Sequence, residues 1–150
     1  MQKKITHQEL VDIAHKWVLK KTSCGVAFKE LRTCASNGET PDVIGFGAWC
    51  HSVLVECKAS RSDFLADKKK SFRKDPSLGM GTQRFYFCPA GMILKEEIPE
   101  GWGLVYVNDK MKAECVYSPY IGNIGERNKG FQKNIKAEHE LMYSALRRIK

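Results

Sequence analysis

At 150 residues, 43% hydrophobic and 28% charged, the chain has enough apolar content to bury a core without staples, and one domain over residues 1–150 is expected. Lys and Arg number 25 against 17 Asp and Glu; the net charge of +8 favours polyanionic partners such as nucleic acid. No stretch approaches the roughly 18 apolar residues of a membrane helix and MQKKITHQEL lacks an apolar signal core, so a cytoplasmic protein with no membrane partner is expected.

Thr6 and Glu9 form a Thr-x-x-Glu capping box. Leu10, Ile13, Ala14, Trp17 and Val18 then recur on one helical face, which predicts an amphipathic helix over residues 7–21. After Thr22-Ser23-Cys24-Gly25, the run VAFKELRT alternates Val26, Phe28 and Glu30 with Ala27, Lys29 and Leu31, the pattern of a half-buried strand. ASNGET is turn chemistry, and residues 42–46 and 53–58 are short β-branched and aromatic runs that form a hairpin across Gly47-Ala48-Trp49-Cys50-His51.

From Arg61 to Lys74 the pattern predicts one charged helix, with Phe64, Leu65 and Phe72 inward, Ser60 or Ser62 as cap, and Pro76 beyond its end. SLGMGT reads as a mobile loop, QRFYFCP as a central strand, and WGLVYVND and MKAECVYS as two more strands paired through an Asp109-Lys110 turn. PYIGNIGERNKG is an irregular connection. A C-terminal helix follows with Ile135, His139, Met142, Ala145, Leu146 and Ile149 inward. The expected fold is α/β, a mixed central sheet flanked by helices.

The six cysteines (Cys24, Cys34, Cys50, Cys57, Cys88, Cys115) are dispersed with no CxxC pair and read as reduced, mostly buried thiols. The four histidines (His7, His15, His51, His139) add only the neighbours Cys50 and His51, so no zinc site is expected.

If the hairpin closes symmetrically about Trp49, Val43 faces Val55, Ile44 faces Leu54 and Asp42 faces Glu56. Two carboxylates placed so close repel unless a cation lies between them. Alternation puts Lys58 on the face of Glu56 and turns Cys57 into the core. Oxygen ligands of this kind suit magnesium, with manganese as the alternative, and a lysine beside the ion can handle a water or offset transition-state charge. The implied chemistry is phosphodiester hydrolysis.

Pro41-Asp42, thirteen residues, then Glu56-x-Lys58 resembles the PD-(D/E)XK nuclease superfamily. A second triplet, Asp67-Lys68-Lys69, falls on a helical and solvent-facing pattern, so context selects the first. The runs ECKASRSDFLADKKKSF, QRFYFCPAGMI and IPEGWGLVYVND are similar to the MmcB-type family of bacterial DNA-repair-associated proteins, a branch of the same superfamily, over about residues 26–109. Thr40-Pro41 and SLGMGT depart from that family's pattern.

The resemblance implies a restriction-endonuclease-like core. It also implies a catalytic set of Glu30, Asp42, Glu56 and Lys58, with metal held by Asp42, Glu56 and the Cys57 carbonyl. Glu30 is equally well a solvated strand end. Arg61, at a helix start beside the hairpin, is read as a phosphate contact, and Asp63 as a cap. Lys68, Lys69 and Arg73 are read as tracking a phosphate backbone, with a plain solvated helix face as the equal alternative. Gln83 is read as orienting a water or sugar. Together these predict a magnesium-dependent DNA nuclease in DNA repair or processing, or a catalytically silent nucleic-acid-binding module of the same fold. Cutting both strands suits a homodimer, although no interface is legible.

Overall fold

The computed structural model describes residues 4–31, 37–120 and 130–149; Cys34, the last residues of VAFKELRT and most of PYIGNIGERNKG lie outside them. Helix α1 (His7–Lys21) begins as its capping box dictates, with the Thr6 hydroxyl accepting from the Glu9 N–H at 3.1 Å. Strands β1 (Val26–Lys29), β2 (Val43–Phe46), β3 (Ser52–Cys57), β4 (Gln83–Pro89), β5 (Trp102–Val107) and β6 (Ala113–Tyr117) form one six-stranded sheet in sequential order. β3, β4 and β5 run parallel and the outer pairs antiparallel, so the protein is α/β with a mixed sheet. No helix among the described residues is long and apolar enough to cross a membrane.

Alternation along the strands builds two cores. Val43, Val53, Val55, Cys57, Phe85 and Phe87 pack under Leu10, Val11, Ala14 and Val18 of α1. Ile44, Leu54, Tyr86 and Leu104 pack under Phe64 of α2 (Arg61–Asp67) and Ala137 and Leu141 of α4 (Ile135–Arg147). Every residue of β3 is buried, because helices cover both faces of the sheet there. The hairpin register is Val43 to Val55 and Ile44 to Leu54, as the symmetry about Trp49 requires.

Four local expectations change. β1 stops at Lys29 because Glu30 takes φ +48°, a left-handed value that a strand cannot continue through. The single helix over Arg61–Lys74 is two, α2 and α3 (Ser71–Lys74), since Lys70 is extended (ψ 143°); Leu65 is exposed while Phe64 and Phe72 are buried. The SLGMGT loop is tied down rather than loose. Met80 is fully buried and donates to Glu39, and Gly81, at φ +96°, donates to Glu138 at 2.8 Å. On α4 the buried face is Ala137, Glu138, Leu141, Ser144 and Ala145, whereas Ile135, Leu146 and Ile149 are exposed. Of the cysteines described, Cys24, Cys57 and Cys88 are buried and Cys50 and Cys115 exposed, all with free thiols.

Candidate functional site

At the end of the sheet where β2 begins and β3 ends, charged groups gather on the α2/α4 face. Asp42 directly precedes β2, and its Oδ2 accepts from the Cys57 N–H at 2.8 Å, which locks the carboxylate across the hairpin. His7, the first residue of α1, lies with Nε2 3.3 Å from Asp42 Oδ1 and Nδ1 3.6 Å from Glu30 Oε1. Among the described residues, His7, Glu30 and Asp42 offer ligand atoms all within 4.8 Å of one another, two carboxylates and an imidazole that suit a divalent cation. The Cys57 thiol points into the α1-side core.

Glu56 sits beside this trio but deeper. It shares a rung of the sheet with Tyr86 and is only 4% exposed. Burial pushes its carboxyl well above the usual carboxylate range and the neighbouring Asp42 charge adds to this, while Arg73 and Lys58 oppose it. Arg73 Nη2 is 3.0 Å from Glu56 Oε1, close enough to attract but not aligned as a hydrogen bond. Lys58 extends the β3–β4 ladder through its N–H to the Phe87 carbonyl, and its ammonium lies 3.2 Å from Asp67 Oδ1 and 3.8 Å from Glu56 Oε2.

Asp67 is the hub of the buried network. Arg73 Nε donates to it at 2.9 Å, the Tyr86 hydroxyl at 2.6 Å, and Lys70 reaches it at 3.2 Å from the surface. Burial works to raise its pKa, but Arg73, Lys58 and the Tyr86 hydrogen bond outweigh burial and hold the carboxyl well below the usual range. Arg73 Nη1 also donates to Glu39 at 2.8 Å, and Glu39 in turn accepts from the Met80 N–H.

Asp67, Glu39, His7 and Tyr86 were missed in the sequence. Only Asp67 carried a signal, the Asp67-Lys68-Lys69 triplet. Asp67 lies three residues after Phe64 on the buried face of α2, which turns it inward.

Arg73 needs correction as a phosphate contact, and Gln83 and Arg61 sit apart from the Glu56–Lys58 centre. The Arg73 side chain is 3% exposed and committed to Glu39, Glu56 and Asp67, because the α2–α3 break folds it under the helices; it is not on a surface that could follow phosphates. Gln83 pairs with Val53 at the start of the parallel strands and lines a cleft on the α1 face, away from Glu56 and Lys58. Arg61 remains at the surface but forks onto Glu97 at 2.6 and 3.1 Å and donates to the Met92 carbonyl, which holds Glu97 at a pKa of about 2. Lys68 and Lys69 are exposed, with Lys68 over the Phe64 ring. Ser60 caps α2 by accepting from the Asp63 N–H.

Fold and site together define an α/β protein with a charged, carboxylate-rich centre at the mouth of a hairpin. No family model matches the chain, and comparison with curated proteins finds no match. Among solved structures it is similar to a protein of unknown function from Silicibacter pomeroyi. The two are 23% identical with a TM-score of 0.63, over 98% of this chain and 91% of that one, a likeness of fold.

Proposed function

We propose that the chain is a metal-dependent nuclease that hydrolyses DNA phosphodiester bonds on a restriction-endonuclease-like core, in DNA repair or processing as the MmcB-type resemblance implies. The observation that carries this is an excess of carboxylates. Among the described residues, Glu30, Glu39, Asp42, Glu56 and Asp67 share one end of the sheet with the cations Lys58, Lys70 and Arg73, and burial together with the Asp42 charge raises the pKa of Glu56. Carboxylates gathered around a glutamate whose ionised form burial and the Asp42 charge both disfavour make a site that a divalent cation completes.

Asp42, Glu30 and His7 would hold that cation, magnesium or manganese, with Glu56 beside it. When bound, it supplies neutralisation of the phosphoryl oxygens and an acidified water. Asp67 fixes the Lys58 ammonium beside Glu56, where it orients the attacking water or meets charge growing on the phosphoryl group. Exposed Lys68 and Lys69 add sequence-independent attraction to the backbone.

A second reading, a binding module that no longer turns over, draws on the same network, because Arg73 and Lys58 already engage Glu56 and leave it less free for a metal. The deciding experiment incubates the protein with duplex, single-stranded, flap and junction DNAs in magnesium, manganese or EDTA. Cleavage confined to the metal lanes, and lost in Asp42→Asn, is the expected result. Tight DNA binding with no cleavage in either metal replaces the nuclease with the binding module.

A further inference from the structure

The tip of the β2–β3 hairpin combines two features that a connecting turn does not need. Trp49 is 99% exposed, and Trp49 and Cys50 both have φ +60°, the left-handed pair that a two-residue hairpin turn favours from asparagine and glycine. A left-handed backbone is unfavourable for a non-glycine residue, so the turn carries strain to hold a tryptophan outward.

The turn is also rigid. His51 N–H donates to the Ala48 carbonyl at 3.1 Å and Gly47 N–H to the His51 carbonyl at 2.9 Å. The buried Lys133 ammonium clamps the Cys50 carbonyl at 2.5 Å and the Ser52 hydroxyl at 2.8 Å.

Beside the tryptophan lies a cleft of about 1140 Å³ on the α1 face. Its aromatic walls are Trp17, Phe85, Tyr120 and Phe131, and its amides are Gln83 and Gln132. Lys21 lines it at the end of α1, and among the described residues no aspartate or glutamate lines it. Flat apolar walls, amides that both donate and accept, and a lysine at the rim match a planar heteroaromatic ring on an anionic backbone. A continuous duplex keeps its bases stacked inside and offers no such ring.

We infer that Trp49 and this cleft bind unstacked nucleobases of a single-stranded segment, Trp49 serving as a fixed stacking platform. The inference rests on the nucleic-acid reading above but not on catalysis, since the cleft and the Glu56–Lys58 centre lie on opposite faces of the sheet. Entry of an unpaired strand here would favour junctions, flaps or gaps over intact duplex.

The test measures binding of labelled oligothymidylate, oligouridylate, an abasic oligomer of equal length and a blunt duplex by anisotropy in EDTA. Trp49→Ala is expected to weaken the two base-bearing single strands about 5- to 100-fold and to leave the abasic oligomer and the duplex unchanged. Trp49→Phe should restore most of the loss, and Lys21→Gln should weaken base-bearing and abasic strands alike. Because Trp49 makes its contacts only at an exposed turn, a matched thermal midpoint will confirm that the variant is folded. Equal affinity of Trp49→Ala and parent for oligothymidylate, or an equal loss on the abasic oligomer, overturns the inference even if duplex DNA is cut in metal. Binding to no nucleic acid at all removes the nucleic-acid reading together with it.

Discussion

The Lys58 ammonium stands 3.2 Å from Asp67 Oδ1, joining the end of β3 to the end of α2 through a cation that is itself 8% exposed at its side chain. A lysine fixed in this way keeps one position, which is what a water-orienting group needs and a surface lysine lacks. Lys58→Ala is expected to slow metal-dependent cleavage by roughly 100- to 1000-fold while DNA affinity stays within about twofold, because a single buried charge adds little to the phosphate field. Single-turnover rates and binding isotherms on the same substrate separate the two. A variant that binds poorly but cuts at the parental rate once saturated would place Lys58 in binding instead.

Asp67 gives the network its pH dependence. Its folded pKa lies well below the free value of 3.8, so between the two the unfolded chain takes up a proton that the native state refuses. The stability it contributes is therefore complete above about pH 4 and is lost as pH falls further toward the depressed folded value. Asp67→Asn leaves Arg73 and Lys58 short of a buried partner and should cost about 3–5 kcal/mol at neutral pH. The acid-side loss of stability should also be shallower in the variant. Urea unfolding at a series of pH values checks both, and parallel curves for parent and variant below pH 4 would mean that Asp67 is not held ionised.

The basic residues after Ser60 divide by burial into two groups with opposite expected phenotypes. Lys68→Gln with Lys69→Gln removes two exposed charges and should leave stability within about 0.5 kcal/mol, while lowering the slope of log affinity against log salt by up to about 2. Arg73→Gln strips three carboxylates of their buried partner and should destabilise the fold by about 3–5 kcal/mol. Comparing thermal midpoints with salt titrations of DNA binding distinguishes a surface role from a core role for each.

Patterns set by near neighbours were legible in the sequence. The Thr6–Glu9 box fixed where α1 begins, and mirror symmetry about Trp49 fixed the β2–β3 register, because each depends on residues close in the chain. Distant polar partnerships were not. A buried carboxylate such as Asp67, Glu39 or Glu138 looks like a surface residue until Arg73, Met80 or Gly81 arrives from another element to satisfy it. The same blindness put most of the α4 face out of phase: of the expected inward residues Ile135, His139, Met142, Ala145, Leu146 and Ile149, Ala145 is buried, whereas Ile135, His139, Leu146 and Ile149 are exposed. The side that packs is instead narrow and mixed. Ala137, Ser144 and Ala145 are buried beside Leu141, and Glu138 is taken up by Ser52, Gly81 and Lys133.

That phase difference can be measured with one pair of leucines five residues apart. Leu141 is fully buried against Ile44, Leu54 and Leu104, and truncating it to alanine opens a cavity that helix and sheet cannot collapse around. A loss of about 2–5 kcal/mol is expected. Leu146 is 65% exposed, and Leu146→Ala should change stability by no more than about 0.5 kcal/mol, since alanine's better helix propensity offsets the little packing lost. Chemical denaturation of the two variants at matched protein concentration reads the difference directly. If Leu146→Ala proves the more damaging, α4 docks by its apolar stripe, and Glu138 then cannot hold the Gly81 loop as described.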